Sequence, residues 1–122
     1  MTDIKPDPRD FLPLPPHDFQ VLLSLAAGPA HAYGLSKAVE AQSDAVRLEI
    51  GSLYRMLARL TTLGLIAETG TEAGAGDGHE RQRRYYGLTT LGRRVAEAES
   101  ARLRAVLDLA RRRRLLPGRR SS

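Results

Sequence analysis

Residues 49–66, EIGSLYRMLARLTTLGLI, constrain this chain more than any other stretch, because the apolar period changes within them. Leu53, Met56, Leu57 and Leu60 recur three and four residues apart, the spacing that gathers side chains on one face of a helix. Gly64 stands where a helix C-terminal cap belongs, and LIAET (65–69) then reads as a short strand. The other side of the helix carries Ser52, Arg55 and Arg59, with the two arginines one turn apart. That side is either solvated or pressed against something negative.

The flanking sequence supplies the rest of one domain, which 122 residues with 42% apolar composition can support. Residues 1–16 hold prolines at 6, 8, 13, 15 and 16 and predict an extended or disordered arm. HDFQVLLSLAAGP predicts a helix capped by Asp18, with Phe19, Leu22, Leu23 and Ala26 on one face and Gly28 and Pro29 at its end. AYGLSKAVEAQS predicts a second helix that buries Leu35, Ala38 and Val39 and stops near Ser43 and Asp44. RRYYGL (83–88) reads as a second strand, and the polar segment between the strands, GTEAGAGDGHERQ, as a mobile hairpin tip. From Thr89 or Thr90 as cap, one long helix runs until Pro117 and Gly118 end it. The fold class expected is mainly α with a two-stranded β-wing: a winged helix-turn-helix over 17–90, a C-terminal helix over 91–116 and a basic tail over 117–122.

Net charge is a poor guide to partners here. The formal value is +5, yet the last twelve residues hold six arginines and no acid; without them 13 basic residues face 14 acidic ones, a balance of −1. No cysteine is present, which excludes disulfides, thiolate metal sites and cysteine nucleophiles. No run approaches a membrane span, and proline occupies the start where a signal peptide needs an apolar helix, so a soluble cytoplasmic protein is expected. His17, His31 and His79 have no metal-ligand spacing, and the glycines of GTEAGAGDGH lack the context of a phosphate loop. Neither catalysis nor a cofactor is expected.

Four segments, in order and at these spacings, resemble the PadR family of transcriptional regulators: LLSLAAGPAHAYGLSKAVE (22–40), GSLYRMLARLTTLGLI (51–66), RRYYGLT (83–89) and LGRR (91–94). The resemblance implies a homodimeric repressor that binds DNA through the winged helix-turn-helix and pairs through its C-terminal helix. It points to the compact branch without an extra ligand domain. The chain departs from the family pattern where His31, Ala32 and Tyr33 replace His-Gly-Tyr, and where Glu49, Ile50, Gly51 and Ser52 replace Ser-Pro-Gly-Thr. Arg55 replaces a proline common after the family tyrosine. These changes fall on the DNA-reading turn, so a relative's operator does not carry over.

Candidate DNA contacts follow from the elements. Arg55 and Arg59 lie on the recognition helix, where arginine meets phosphate or a guanine edge. Ser52 and Tyr54 occupy its first turn, and Glu49 must point away or restrict the bases read. Tyr33 either donates its hydroxyl to a phosphate or packs in the core, and Lys37 lies one turn on. Arg81, Arg83 and Arg84 lie on the wing, with Tyr86 filling the core beneath it. Val95, Leu103, Val106, Leu107 and Ala110 form the expected dimerisation stripe. The function expected is an operator-binding regulator of palindromic double-stranded DNA, released by a small-molecule effector. The alternative is a winged-helix protein-interaction module without direct DNA binding.

Overall fold

The computed structural model describes residues 6–42, 49–72 and 83–117. Helix α1 spans Pro16–Ala26, strand β1 Ala30–His31 and helix α2 Ala32–Gln42. Helix α3 spans Ile50–Thr62, strands β2 and β3 Ile66–Glu72 and Arg83–Leu88, and helix α4 Thr90–Arg112. Leu53, Met56, Leu57 and Leu60 of α3 are all buried, as their spacing predicts. Gly64, at φ +82°, closes α3: its N–H reaches the Thr61 carbonyl and that of Leu65 reaches Leu60, the paired bonds of a Schellman cap.

Helix α1 departs from expectation at its start. Asp18 is not its cap: the helix begins at Pro16 behind Pro15, with no side-chain cap, and proline suits a first turn whose N–H groups have no intrahelical partner. The buried face is Asp18, Val21, Leu22 and Leu25, while Leu23 and Ala26 face solvent and Phe19 packs partly against the core. The run VLLSLAA offers two adjacent apolar faces, and the helix begins three residues earlier than a cap at Asp18 would allow, with Asp18 on the buried face. In α2, Leu35 and Val39 are buried and Ala38 half-buried. His31 acts as its cap, Nδ1 accepting the Gly34 N–H at 3.1 Å. Ser43 and Asp44, expected to stop the helix, lie outside the described residues.

The sheet has three strands in the order β1-β3-β2, one more than expected. Strand β1 is two residues long, Ala30 opposite Tyr86 and His31 opposite Tyr85, too short to leave an apolar period in the sequence. In the β2–β3 ladder Ile66 faces Leu88 and Glu68 faces Tyr86, and a bulge at Thr69 then shifts the register so that Gly70, at φ +149°, faces Tyr85. The bulge explains Gly87, where a Cβ would stand 2.8 Å from the Thr69 methyl. Gly70–Glu72, read as part of the hairpin tip, continue strand β2; 73–82 lie outside the described residues.

Helix α4 starts on Thr89, whose side chain accepts the Gly92 N–H at 2.9 Å and donates to the Gly64 carbonyl at 2.6 Å. The Leu65 carbonyl accepts the Thr89 N–H and packs so closely on Gly92 that a Cβ there would collide with it. Val95, Ala96 and Glu99 are buried. Val95 belongs to the chain's own core, fully enclosed, which removes it from the expected dimerisation stripe. The helix ends at Arg112, before Pro117: Arg114 adopts φ +63° while Leu115 donates to the Ala110 carbonyl, a second Schellman cap.

The proline-rich start is packed over its described part, unlike the arm expected. Pro8–Phe11 form a 3-10 turn, Phe11 and Leu12 lie against the core, and Leu14 is buried. Its prolines have no N–H groups to satisfy, and Pro15 holds extended backbone, while Phe11, Leu12 and Leu14 supply apolar surface. The Leu14 N–H donates to Glu99 Oε2 at 3.1 Å, and Arg102 grips the same carboxylate at 2.6 and 2.9 Å.

Two measurements test this packing. Gly92→Ala should destabilise the domain by about 3 kcal/mol or more in urea unfolding, since neither the Leu65 backbone nor the start of α4 can yield. The Arg102 guanidinium, more than the Leu14 N–H, holds the Glu99 carboxyl below its ordinary value. Its stabilisation is therefore complete above the ordinary carboxylate range and lost as pH falls through the depressed value. Glu99→Gln should lower the thermal midpoint at neutral pH yet flatten its fall between about pH 5 and about pH 2.

Candidate nucleic-acid interface

The side of α3 opposite its buried leucines carries the expected residues. Tyr54 is 57% exposed, Arg55 and Ala58 face solvent, and Ser52 is partly covered. Arg55 Nη2 donates to Ser52 Oγ at 3.1 Å, a contact one turn apart that orients the guanidinium and leaves its charge uncompensated. Glu49 is the N-terminal flanking residue of α3 but makes no side-chain cap, so its carboxylate is exposed beside Ile50 and Gly51. Tyr33 is 62% exposed on α2, which decides between the two readings of it in favour of a surface role. Lys37, one turn on, places Nζ 5.5 Å from the Tyr33 ring centre, a cation–π contact that holds both side chains on one side of α2.

Arg59 is placed differently from Arg55. Its Nη1 and Nη2 each donate to one oxygen of Asp18, both at 2.7 Å, joining α3 to the first turn of α1. Asp18 is only 2% exposed, whereas Arg59 remains 49% exposed. These hydrogen bonds raise the guanidinium above its ordinary pKa. Sequence reasoning missed the pair; its available signal was an acid four residues before Leu22 and seven before Leu25, on the same helix face as both.

On the wing, Arg84 is exposed and lies 3.6 Å from Glu68 of β2. Arg83 faces Glu72 in the strand register, its side chain outside the described residues together with the whole of Arg81. Tyr86 packs partly against the core beneath the wing, and burial pushes its phenol up. Tyr85 meets the His31 ring edge-on, with centroids 5.3 Å apart. Tyr85 and Tyr86 therefore serve opposite faces of β3.

Of the stripe on α4, Leu103 and Ala110 are partly covered, while Val106 and Leu107 remain about half exposed. Leu109 and Leu115 are also exposed, and sequence reasoning did not include them. Phe19 of α1, Leu103 and Leu107 line a shallow groove rimmed by Arg104, Asp108 and Arg111. Among the described residues no group of three acids or histidines could hold a metal, and no helix is long and apolar enough to cross a membrane.

Three helices, a small antiparallel sheet with a β-ribbon, and a long C-terminal helix, in this order, define a winged helix-turn-helix. The Transcriptional regulator PadR-like family profile matches residues 21–98, and the chain belongs to that family. A PadR-like transcriptional regulator from Bacillus cereus is 22% identical, with TM-score 0.66 over 84% of this chain and 92% of that one. A PadR family transcriptional regulator from Eggerthella lenta is 27% identical, with TM-score 0.58 over 92% of this chain and 87% of its own. Bacillus subtilis PadR in complex with operator DNA is 21% identical, with TM-score 0.59 over 66% of this chain and 44% of that one. No curated protein sequence matches significantly.

The two arginines of α3 should behave differently in urea unfolding. Arg59→Met leaves a buried carboxylate unpaired and should cost about 3 kcal/mol, the lower end for such a loss because the outer edge of Arg59 is in water. Arg55→Met should change stability by no more than about 0.5 kcal/mol.

Proposed function

We propose that this chain is a cytoplasmic, sequence-specific DNA-binding repressor that acts as a homodimer on a palindromic operator. The observation that carries this reading is the uncompensated Arg55 guanidinium, oriented by Ser52 on the exposed side of α3. In this architecture α3 enters the major groove and α2 crosses the backbone. Arg55 and Tyr54 then face base edges or phosphates, while Tyr33 and Lys37 sit where α2 meets the backbone. The wing brings Arg81, Arg83 and Arg84 toward the flanking minor groove. The operator-bound Bacillus subtilis relative supports DNA as the partner.

The part of the α4 stripe outside the core, Leu103 and Ala110 partly covered and Val106 and Leu107 exposed, supports pairing through that helix, because a two-fold pair buries the same patch on both copies. Two recognition helices related this way reach half-sites one helical turn apart. Release follows when a small-molecule effector binds more tightly to a pairing of the α4 helices that moves the recognition helices off that spacing. The body's balance of −1 favours a second reading, a protein-interaction module.

One titration separates the two. A duplex from upstream of the gene, followed by fluorescence anisotropy against scrambled competitor, should bind two chains per site. Its affinity should fall steeply with salt, as displaced counterions require. Arg55→Ala should weaken specific binding by about 1–3 kcal/mol. No preference for the duplex over scrambled DNA at either low or high salt would favour the interaction module.

A further inference from the structure

Asp18 and Glu99 are the buried acidic side chains among the described residues. Glu99 is accounted for within its own surroundings, by Leu14 and Arg102. Asp18 is different, because its partner stands on the DNA-reading helix. We propose that Asp18 withholds Arg59 from DNA, leaving Arg55, which pairs with no acid among the described residues, as the guanidinium of α3 open to DNA and Arg59 as a fixed, neutralised side chain. The proposal rests on the DNA-binding reading above.

Three features carry it. First, the contact is end-on and two-pronged, with both terminal nitrogens of Arg59 and both oxygens of Asp18 engaged at 2.7 Å. The guanidinium's end-on fork is therefore used inside the protein, and the pair as a whole is neutral. Second, Asp18 is almost wholly buried with Arg59 in place, so swinging the arginine outward gives up both short hydrogen bonds that compensate the carboxylate. Moving Arg59 to a solvated phosphate would leave Asp18 unpaired in its recess. Third, Asp18 cannot follow. It sits in the first turn of α1, where the helix dipole favours a carboxylate, on a helix anchored by Val21, Leu22 and Leu25.

Arg55 provides the internal contrast one turn away. Its partner Ser52 is neutral, so hydrogen bonding orients the guanidinium without cancelling its charge. The consequence is lower sequence-independent affinity. Each phosphate neutralised strengthens binding to any sequence, so an arginine held back lowers binding to arbitrary DNA and to the operator about equally and makes both less salt-dependent. Asp18 thus sets general DNA affinity without touching DNA.

The test uses a duplex selected by the full-length protein from a random-sequence library, with a scrambled permutation of it as competitor, over a salt series. The double variant D18L/R59M replaces the pair with two apolar side chains, leaves no charge buried, and is checked for folding by thermal unfolding. It should keep the wild-type salt slope and the wild-type preference for the selected duplex. Asp18→Asn frees Arg59 and should steepen the slope by about 0.9, the increment for one added phosphate contact, with several-fold tighter binding to the scrambled duplex. A double variant whose slope is shallower by about 0.9, or whose preference is lost, overturns the proposal, because Arg59 then contacts DNA while paired. A folded Asp18→Asn protein with an unchanged slope overturns it too. The double variant decides alone if Asp18→Asn does not fold. Wild-type protein that selects no duplex removes the DNA-binding reading and this proposal together, an outcome recognisable before any variant is made.

Discussion

The Leu65 carbonyl is the point on which the rest of the structure depends. It accepts the Thr89 N–H, while the Thr89 hydroxyl reaches the neighbouring Gly64 carbonyl and accepts the Gly92 N–H in turn. Four elements converge there: the end of α3, the start of β2, the end of β3 and the start of α4. The β2–β3 ladder closes beside it at Ile66 and Leu88. With Gly92 against the same carbonyl, α4 approaches as closely as a backbone without Cβ allows. The angle between recognition helix, wing and C-terminal helix is therefore set by short polar bonds within a small volume.

A second set of bonds holds α1 against this frame. The stretch Leu14–Asp18 is bonded to α4 at its first residue, through Glu99, and to α3 at its last, through Arg59. Both contacts use a buried carboxylate, and in each a guanidinium compensates the charge from the more exposed side. Apolar burial of Val21, Leu22 and Leu25 supplies the attraction for α1, but it is non-directional. The carboxylates supply direction. They fix which way α1 turns and, through Asp18, where the C-terminal half of α3 lies.

The parts legible in the sequence were those with a period or a cap of their own. The α3 face, the Gly64 cap, the β3 limits and the Thr89 cap each follow from local chemistry, and each is found in the structure. What escaped was set by distant contacts. Strand β1 exists because Ala30 and His31 pair with Tyr86 and Tyr85, more than fifty residues away. The proline-rich start is packed because Glu99 offers its carboxylate to Leu14 across 85 residues. Asp18 looked like a cap because acids commonly stand just outside a helix; only the fold brings Arg59 to it, 41 residues on. Val95 fits a helical stripe equally well as core or as interface, and its own chain encloses it. At the candidate site, Tyr54 and Arg55 lie on the surface as read and Tyr33 takes the exposed one of its two readings, whereas the role of Arg59 depended on a partner that spacing could not reveal.

The same reasoning applies to charge. Arginines are abundant in this chain, yet Arg9, Arg59, Arg84, Arg102 and Arg111 each lie within 4 Å of an acid. Asp18 and Glu99 are the acids of these pairs that are buried, so those two pairings resist both salt and competing phosphate. The others are surface contacts that a polyanion can displace. A count of basic residues therefore overstates the attraction available to DNA, and net charge understates how local that attraction is. What matters is which cations are both oriented and uncompensated. On α3 that cation is Arg55, and on α2 it is Lys37, held over the Tyr33 ring. A nearly neutral body with a few such charges on adjoining helices offers a polyanion little attraction from a distance and a local one at contact, which is the balance the proposed sequence-specific reading requires.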